Sequence, residues 1–572
     1  MKTYVEDKTA GDPVHKPFLR KYSGALLLLL TLAAVALGWS ALTPSLMGDE
    51  WGYLFSHIRY GGPICPGSAT DARPLGMCWV WLVYQLAGTN VFGYHAFGIM
   101  MNLLSALLLL ATLDVLLPDW PTYNMAVAAL YLVFPADMTR TWLAGNIVQG
   151  TAFFLLAAYF MARFWRDGRW WAWLASMIVV AISLSTYEIT LGVIITLSGL
   201  AFLFSRRRTW PQRLGLLAPM FMTIGFGLWR WRWQQSVGAA FGHDINQTII
   251  SAQLLARRLW VGAEYLLGEA WGRTLLELLP FTPRPGRITS ALESGALIGL
   301  MMLAILIAYW GGRKIHRFDL AGDHRRAEKG NMLDLAIAGA VGLAILAAGY
   351  FPIIIAMNPG ISYGITRAHH LPSVGAARFI CAVLFGVSQW LGRTQEQARF
   401  IALAGLTSLL IIGILGHITV TRQLREAWAD QKLIWNSLFE QAPDIVDGTQ
   451  VLFLLEGYDD PGRGPRPFVS GPWSLSRALQ LLYDNDELSA YFVPAWSPGM
   501  LSIDKDLTLT DNDGNIIDFS AAETLVFLFN RADQELTQVK ELESNGKTLL
   551  LGPDRIIPTP TNKTEWRWLV AD

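Results

Sequence analysis

Two adjacent carboxylates, Asp49 and Glu50, follow closely after the first long apolar run of the chain, Ser23–Leu42. That run is about twenty residues, which at 1.5 Å per residue crosses a hydrocarbon core of roughly 30 Å. A charge near a bilayer is costly unless it faces water, a partner or a site. The two acids can be an ordinary interfacial pair, but a carboxylate there can also deprotonate an acceptor hydroxyl as a general base.

Arginine, histidine and carboxylate side chains in later loops supply complementary chemistry, because arginine and histidine can hold a phosphate leaving group and offset its developing charge. Arg367 and His369 can instead be an interfacial pair that snorkels, and Glu188 a solvated turn residue. For Asp137 the sequence favours a helix-end residue. The polar residues that do not serve as cytoplasmic anchors are Asp49, Glu50, Asp71, Arg73, Asp137, Arg140, Glu188, Arg367, His369 and His370.

The composition is that of a membrane protein. Of the 572 residues, 53% are hydrophobic and only 16% are charged, whereas a soluble protein carries nearer a quarter charged residues. Because the apolar residues fall in repeated runs, the chain is predicted to cross the membrane many times. The formal net charge of zero argues against a nucleic-acid partner. The three cysteines follow no metal spacing, and Cys65 and Cys78 can pair if their loop is extracytoplasmic.

The positive-inside rule orients the chain. Residues 1–21 are polar and basic near the membrane, which predicts a cytoplasmic N-terminal segment, and residues 22–420 are predicted to form a transmembrane domain. This domain includes a first outer loop at 43–92, with an interfacial helix at Pro74–Leu86, and a second long outer segment at 234–290. The predicted spans number about eleven: Ser23–Leu42, Val91–Leu117, Tyr123–Phe134, Ile147–Phe164, two within Trp170–Phe204, Leu214–Trp231, Ala291–Trp310, Met332–Ile355, Pro372–Leu391 and Ile401–Val420.

An odd number of spans places residues 421–572 outside the cell. Charge clusters and turn pairs there indicate a small soluble α/β domain, packed on the outer face. Strands are predicted at Val451–Leu455, Thr524–Phe529 and Thr548–Leu551, and helices at Ser474–Tyr483 and Asp533–Leu542. The predicted fold class is therefore mainly α, a transmembrane helical bundle with a C-terminal extracytoplasmic α/β domain.

The order and sidedness of these motifs resemble the GT-C superfamily of membrane glycosyltransferases, of the protein O-mannosyltransferase and aminoarabinose-transferase type. Members carry an acidic residue or pair in the first outer loop, where Met47–Trp51 matches. An interfacial jaw helix then opens with a proline-containing motif, which Asp71–Gly76 resembles through its Arg-Pro-Leu core. The segment Asn90–Asn102 resembles the span that follows. The resemblance is best over residues 20–210, weaker over 211–420 and absent from the C-terminal domain.

This resemblance implies a transferase that moves a sugar from a polyprenyl-phosphate donor to an extracytoplasmic glycan, lipid or protein acceptor. Asp49 would be the general base, and Glu50 its alternative or its orienting partner. The resemblance also implies a multi-pass protein of the plasma (inner) membrane, with the lipid bilayer and no nucleic acid as a partner. The implied substrate-binding residues are Arg73, Arg140, Glu188 and His370, with Arg367 and His369 at the lipid phosphate; His370 can instead be an interfacial residue.

No cofactor is expected. Distant members, the oligosaccharyltransferases, use a divalent metal held by acidic residues, and Asp49, Asp137 and Glu188 could form such a site. The branches that this chain resembles more closely work without metal. The glycine-rich strings do not lie between a strand and a helix, so they do not indicate a nucleotide cradle.

Three other functions remain open from the sequence. Within enzymes, the alternative is a ligase or a transferase of a longer glycan. A transporter or flippase should have charged or broken segments deep within its spans and paired interruptions in two halves, whereas here the charges lie mostly at the ends of spans. The third alternative is a non-catalytic scaffold that binds through its outer domain.

Overall fold

The computed structural model describes residues 22–42, 45–46, 49–60, 73, 75–137, 146–205, 208–237, 251–272, 274, 332–356, 359, 366–458, 467–468, 472–493, 501–503, 507–510, 516–544, 547–558 and 566–571. Several predicted features lie outside the described residues. They are the N-terminal segment 1–21, the span Ala291–Trp310, most of the outer segment 234–290, and the residues Cys65, Asp71 and Arg140.

Helices dominate the first three quarters of the chain. Among the residues that the structure describes, five helical segments are long and apolar enough to cross a membrane: Val91–Leu116, Ile147–Asp167, Met332–Ile355, Pro372–Leu391 and Gln395–Gln441. In chain order the described helices are α1 (Ser23–Ala36), α2 (Gly38–Leu42), α3 (Asp49–Tyr60), α4 (Gly76–Ala87), α5 (Val91–Leu116), α6 (Pro121–Leu132), α7 (Asn146–Asp167), α8 (Trp170–Thr186), α9 (Leu191–Phe204), α10 (Trp210–Val237), α11 (Ala252–Glu264), α12 (Met332–Ala356), α13 (Pro372–Leu391) and α14 (Gln395–Gln441).

The short helix α6 occupies the centre of the bundle. Residues 126–134, which run from α6 into the turn after it, are fully buried, and Pro135, the next residue, is also buried. A helix that is buried on every side is surrounded by other helices, and α6 contacts α1, α5, α13 and α14. The first predicted span is broken at Leu37 into α1 and α2.

Helices α12 and α13 pack closely because glycines face each other at their crossing. A Cβ atom added to Gly375 would lie 2.4 Å from the carbonyl oxygen of Gly342 and from the amide nitrogen of Leu346. Small residues let two backbones approach in this way in a membrane, where packing rather than water exclusion holds helices together. This crossing sets the position of the turn that leads into α13.

The C-terminal domain is built on a four-stranded sheet in the order β3-β2-β7-β8. Strands β2 and β7 are parallel, as are β2 and β3, while β8 is antiparallel to β7. The interior residues of β2 are buried on both faces, as is usual for a parallel strand. The described elements are β1 (Asp444–Ile445), β2 (Gln450–Glu456), α15 (Pro472–Leu482), β3 (Ser489–Val493), β4 (Leu501–Ile503), β5 (Leu507–Thr510), β6 (Ile516–Phe519), β7 (Thr524–Asn530), β8 (Glu535–Val539), β9 (Glu541–Ser544), β10 (Lys547–Leu550) and β11 (Ile556–Ile557).

The predicted strands at Val451–Leu455, Thr524–Phe529 and Thr548–Leu551 coincide with β2, β7 and β10, and the predicted helix Ser474–Tyr483 coincides with α15. The predicted helix Asp533–Leu542 is wrong, because these residues lie in strands β8 and β9. Strand β7 offers an edge to which β8 pairs from Glu535 to Val539. Pairing with a neighbouring strand overrides a local helix propensity that differs by only fractions of a kcal/mol per residue.

Two helices join the bundle to the C-terminal domain. Helix α14 has 47 residues and runs without interruption from its contacts with α1, α6 and α13 to its contacts with β8. Helix α3, which begins at Asp49, packs against α15. The first outer loop and the C-terminal domain therefore meet, although the sequence separates them by more than 350 residues.

We expect Gly375→Ala to destabilise the protein, because its methyl group would overlap the backbone of α12; overpacking of this kind costs about 1–3 kcal/mol. Gly386→Ala, on the same helix, is the matched control, since its methyl group would meet only the Met332 Cε at 3.9 Å. That control should be neutral or up to about 1 kcal/mol more stable, because alanine favours helix. Thermal unfolding of the two purified variants in detergent checks this, and equal melting temperatures would contradict the close crossing.

Candidate active site at one end of the helix bundle

Several of the polar residues that the sequence assigns to separate outer loops lie, where the structure describes them, at one end of the bundle. His95, in the first turns of α5, contacts the carbonyl oxygen of Ser45 through its Nε2 at 3.1 Å. The amide of Leu75, just before α4, donates to the carbonyl oxygen of Ser185 at 3.0 Å. The first contact joins the start of α5 to the loop before α3, and the second joins the start of α4 to the end of α8.

Arg73 and Glu188 form a two-pronged ion pair at this end. The Nε and Nη2 atoms of Arg73 donate to the two carboxylate oxygens of Glu188, each at 2.8 Å. Arg230 of α10 reaches the same carboxylate at 3.4 Å through its Nη2. The guanidinium of Arg73 also lies over the ring of Tyr187, 3.9 Å from its centre. We call Arg73, Glu188 and Arg230 the ion cluster; positive charge exceeds negative charge among these three side chains.

The ion cluster stays charged over the whole working range of pH. Burial alone would raise the pKa of Glu188, but the charge and hydrogen bonds of Arg73, together with the charge of Arg230, outweigh it and hold that pKa at about 2. Burial likewise opposes the charge on Arg73, and the neighbouring Glu188 carboxylate reverses the effect and raises the pKa of Arg73. A pre-formed positive site of this kind suits an anionic group such as a phosphate.

The local sequence explains how Glu188 reaches this position. Helix α8 ends at Thr186, and Glu188 starts a single 3-10 turn, Glu188–Thr190, before α9. Gly150 of α7 lets the backbone of Tyr187 approach, since a Cβ there would lie 3.1 Å from the Tyr187 Cβ. The indole of Trp79 in α4 donates to the Thr186 hydroxyl at 3.1 Å, which fixes α4 to the end of α8.

His370 takes part in a buried chain of hydrogen bonds. Its Nδ1 lies 2.9 Å from the Asp137 carboxylate and its Nε2 lies 3.1 Å from the Tyr131 hydroxyl. All three side chains are almost fully buried. When Asp137 is ionised, the His370 Nδ1 donates a hydrogen bond to its carboxylate. The Nε2 of the same ring is then the atom that hydrogen-bonds to the Tyr131 hydroxyl. The carboxylate thus orients the imidazole and stabilises a positive charge on it.

His369 lies in a second buried network. Its Nδ1 is 2.5 Å from the Tyr350 hydroxyl, and that hydroxyl donates to the carbonyl oxygen of Gly262 at 2.9 Å. Because a tyrosine hydroxyl has one proton, His369 must donate from Nδ1 to the Tyr350 oxygen. The ring of Tyr265 packs on the His369 ring with 4.3 Å between centres. Gly262 leaves the necessary room, since a Cβ there would lie 2.7 Å from the Tyr350 ring.

The end of α12 joins the histidines to the ion cluster. Tyr350, the partner of His369, belongs to α12, and α12 also contacts the Glu188–Thr190 turn. Gly192, two residues beyond that turn, lies against the carbonyl oxygen of Ala348, where a Cβ would be only 2.1 Å away. The turn that carries Glu188 and the turn that carries His369 therefore both contact the same end of α12.

Helix α3 places the acid pair at this end. Asp49 is its first residue and Glu50 its second, and Glu50 is 1% exposed. The Tyr53 ring, one turn further along α3, packs against the apolar cluster that α4 and α5 form at Val83 and Tyr94. The helix that begins with the candidate base thus lies beside α4, the helix that follows Arg73.

The structure brings some of the predicted site residues together and leaves others apart. Arg73 and Glu188 are direct partners. His370 pairs with Asp137, which the sequence favoured as a helix-end residue. Arg367 is half-buried, and its carbonyl oxygen accepts from the His370 amide at 3.2 Å. Among the described contacts, none joins Arg73 or Glu188 directly to the two histidines, and Arg140 lies outside the described residues.

Arg230 and three tyrosines belong to the site but were not predicted. Arg230 had a detectable signal, because it is a charged residue within an apolar segment, where charges are rare and mark function. The tyrosines had none, since aromatic residues near helix ends are expected at any membrane interface. They are Tyr131, Tyr265 and Tyr350.

Two cysteines, one bonded and one free, lie in the part of the chain that the structure describes. Cys78, in the first turn of α4, is disulfide-bonded, which is typical of an oxidising compartment outside the cytoplasm. Cys381 is a buried free thiol. Within the part of the chain that the structure describes, no three histidine, cysteine, aspartate or glutamate side chains are grouped as metal ligands.

Comparison with solved structures finds twelve similar chains. No family model and no curated protein matches the chain. The chain is similar to ArnT from Cupriavidus metallidurans in the apo state, with 14% identity over 81% of this chain and 89% of that chain and a TM-score of 0.33. It is also similar to ArnT bound to undecaprenyl phosphate, with 16% identity over 80% of this chain and 88% of that chain and a TM-score of 0.32.

We expect Glu188→Gln to destabilise the protein by about 1–3 kcal/mol, because it leaves two guanidinium groups without the carboxylate that compensates their burial. Glu426→Gln is the matched control: Glu426 pairs with Arg422 on an exposed face of α14, and both side chains are 48% exposed. Such an exposed pair contributes less than about 0.5 kcal/mol. Thermal or denaturant unfolding measures both changes, and equal losses would show that the ion cluster is an ordinary surface pair.

Proposed function

We propose that the chain is a membrane glycosyltransferase that moves one sugar from a polyprenyl-phosphate carrier to an extracytoplasmic acceptor. The observation that supports this most strongly is the position of the ion cluster. Arg73, Glu188 and Arg230 lie at the same end of an apolar bundle as His369 and His370. Arg73 also precedes α4, the helix that packs against the acid-bearing helix α3. A lipid-linked donor has its tail in the bilayer and its phosphate and sugar at the surface, which is where these groups would meet it.

The proposal includes a membrane topology. About eleven spans would place the N-terminus in the cytoplasm and the site and the C-terminal domain outside. The disulfide at Cys78 supports an outer location for this end of the bundle. At the opposite end, Arg208 donates to the carbonyl oxygen of Arg166 at 2.5 Å, and this arginine-rich turn has the composition of a cytoplasmic loop.

In the proposed reaction, Asp49 takes the proton of the acceptor hydroxyl while the hydroxyl oxygen attacks the anomeric carbon of the sugar. A bond forms between that oxygen and the anomeric carbon, and the bond from the carbon to the phosphate oxygen breaks. The electron pair stays on the phosphate, and the configuration is inverted. Glu50, the next residue of α3, would orient Asp49 or the acceptor.

The basic groups would hold the phosphate that leaves. Arg73 is pre-organised because Glu188 fixes the plane of its guanidinium from one side and Tyr187 supports it from another. His370, oriented by Asp137, would offset negative charge from the other side of α12. Arg140, Arg367 and His369 would complete the phosphate site. Pre-organised positive groups stabilise developing charge without reorganising during the reaction.

Asp49→Asn tests this proposal. We expect the transfer rate to fall by about 10²- to 10⁴-fold, the usual contribution of a general base, because the amide cannot take the hydroxyl proton. The measurement is sugar transfer from a defined polyprenyl-phosphate donor to added acceptors by the purified chain in lipid nanodiscs. Asp119→Asn is the matched control, since Asp119 is exposed in the turn at the opposite end of the bundle.

An unchanged rate in Asp49→Asn would contradict the proposed base. Absence of transfer by the wild-type chain, together with movement of the donor lipid across a vesicle bilayer, would indicate a flippase instead. Retained acceptor binding with no transfer by any form of the chain would indicate a scaffold.

A further inference from the structure

We infer that the C-terminal domain positions the acid pair Asp49–Glu50 through helix α3, and that Trp51 and Gln431 are positioning residues for the transfer reaction. This inference rests on the function proposed above. It makes the C-terminal domain a required part of the active site. The argument depends on how both ends of α3 are attached.

The first turn of α3 is tied to the C-terminal domain by a buried hydrogen bond. The indole Nε1 of Trp51 donates to the Gln431 Oε1 at 3.1 Å, and the Gln431 Nε2 donates to the carbonyl oxygen of Pro467 at 2.6 Å. Trp51 and Gln431 are only 2% and 1% exposed. Breaking a bond between such groups leaves a buried donor or acceptor unpaired, so the geometry is strongly preferred.

The last turn of α3 is tied to the same domain by charge. Arg59 donates to the Asp486 carboxylate at 2.9 Å and also pairs with Asp484, both in the turn after α15. One turn before it, the ring of Phe55 lies under the Arg477 guanidinium, 4.7 Å away. The two ends of α3 are therefore held by different parts of one domain.

Between these ties, α3 buries its apolar face in the core of the C-terminal domain. Trp51, Leu54 and Phe55 belong to the same apolar cluster as residues of α14, α15, β2 and β7. On another face, the His57 ring stacks on Tyr84 of α4 with 5.1 Å between centres. Burial lowers the pKa of His57 to about 4, so at neutral pH this ring packs as an uncharged group.

These contacts fix the position of the acid pair. Helix α3 has 12 residues and is therefore a rigid rod about 18 Å long. Asp49 and Glu50 share its first turn with Trp51, two residues from the bond to Gln431. A displacement of a catalytic group by 1 Å costs about 10²-fold in rate, so loosening this tie should slow the chemical step and leave donor binding intact.

The test compares Trp51→Phe and Gln431→Met with wild type, in full-length protein in nanodiscs with a polyprenyl-phosphate sugar donor. Both substitutions remove the hydrogen bond and keep most of the packing. We expect kcat to fall by about 10- to 100-fold, with KM for the donor changed by less than about twofold because the ion cluster is untouched. Asn530→Ala is the control, since it breaks a hydrogen bond to Glu456 within the same domain, away from α3.

A second measurement does not depend on activity. Amide hydrogen exchange over residues 49–60 should be faster in Gln431→Met than in wild type or Asn530→Ala, because the first turn of α3 is released. Unchanged exchange, kcat within about twofold of wild type in both variants, or a raised KM with unchanged kcat would each overturn the inference. If Asp49→Asn is inactive while these variants keep full activity, the inference fails and the proposed function stands. If Asp49→Asn keeps full activity, the proposed function fails instead.

Discussion

The ion pair between Arg73 and Glu188 is the interaction on which the arrangement of this end of the protein depends. The two residues are separated by 115 positions in the chain and come from different loops. Charged groups in a partly buried site must be compensated, because an unpaired charge there costs about 1–3 kcal/mol. The first outer loop and the turn between α8 and α9 are therefore held together, and Arg230 adds α10 to the same point. The helix that carries the acid pair packs against α4, the helix that follows Arg73.

Small residues and buried tyrosines extend this constraint across the bundle. Gly192 lets α9 lie directly on the end of α12, and the glycine crossing of α12 and α13 fixes the turn that carries His369 and His370. Tyr350 of α12 and Tyr131 at the end of α6 then each contact one histidine. The bundle interior is thus close-packed where the helices cross and polar where the turns meet, which is the arrangement expected of a site at a membrane surface.

Much of this arrangement could be predicted from the sequence, because apolar periodicity and the location of arginine clusters give the order and direction of the helices. The same patterns placed Arg73, Glu188, His369 and His370 at one end. They could not pair Arg73 with Glu188 in particular, since side-chain partners across a fold leave no local pattern.

Three features of the structure could not be predicted from sequence patterns, each for a physical reason. Asp137 looked like a helix-end residue because its partner, His370, is 233 positions away. The segment Asp533–Leu542 forms strands because β7 offers it an edge, which a local pattern does not record. The bond between Trp51 and Gln431 joins residues 380 positions apart, so the link between the acid pair and the C-terminal domain could be seen only in the structure.

The central claim is that the turns bearing the acids, arginines and histidines share one face of the membrane. Cysteine labelling with a membrane-impermeant maleimide in intact cells measures this most directly, using Asn90→Cys and Glu269→Cys, which are exposed near α3 and near the histidines, and Asp119→Cys, which is exposed at the opposite end. The account predicts that positions 90 and 269 are labelled from outside and that position 119 is labelled only after the membrane is permeabilised. Labelling of positions 90 and 269 from opposite sides would contradict it.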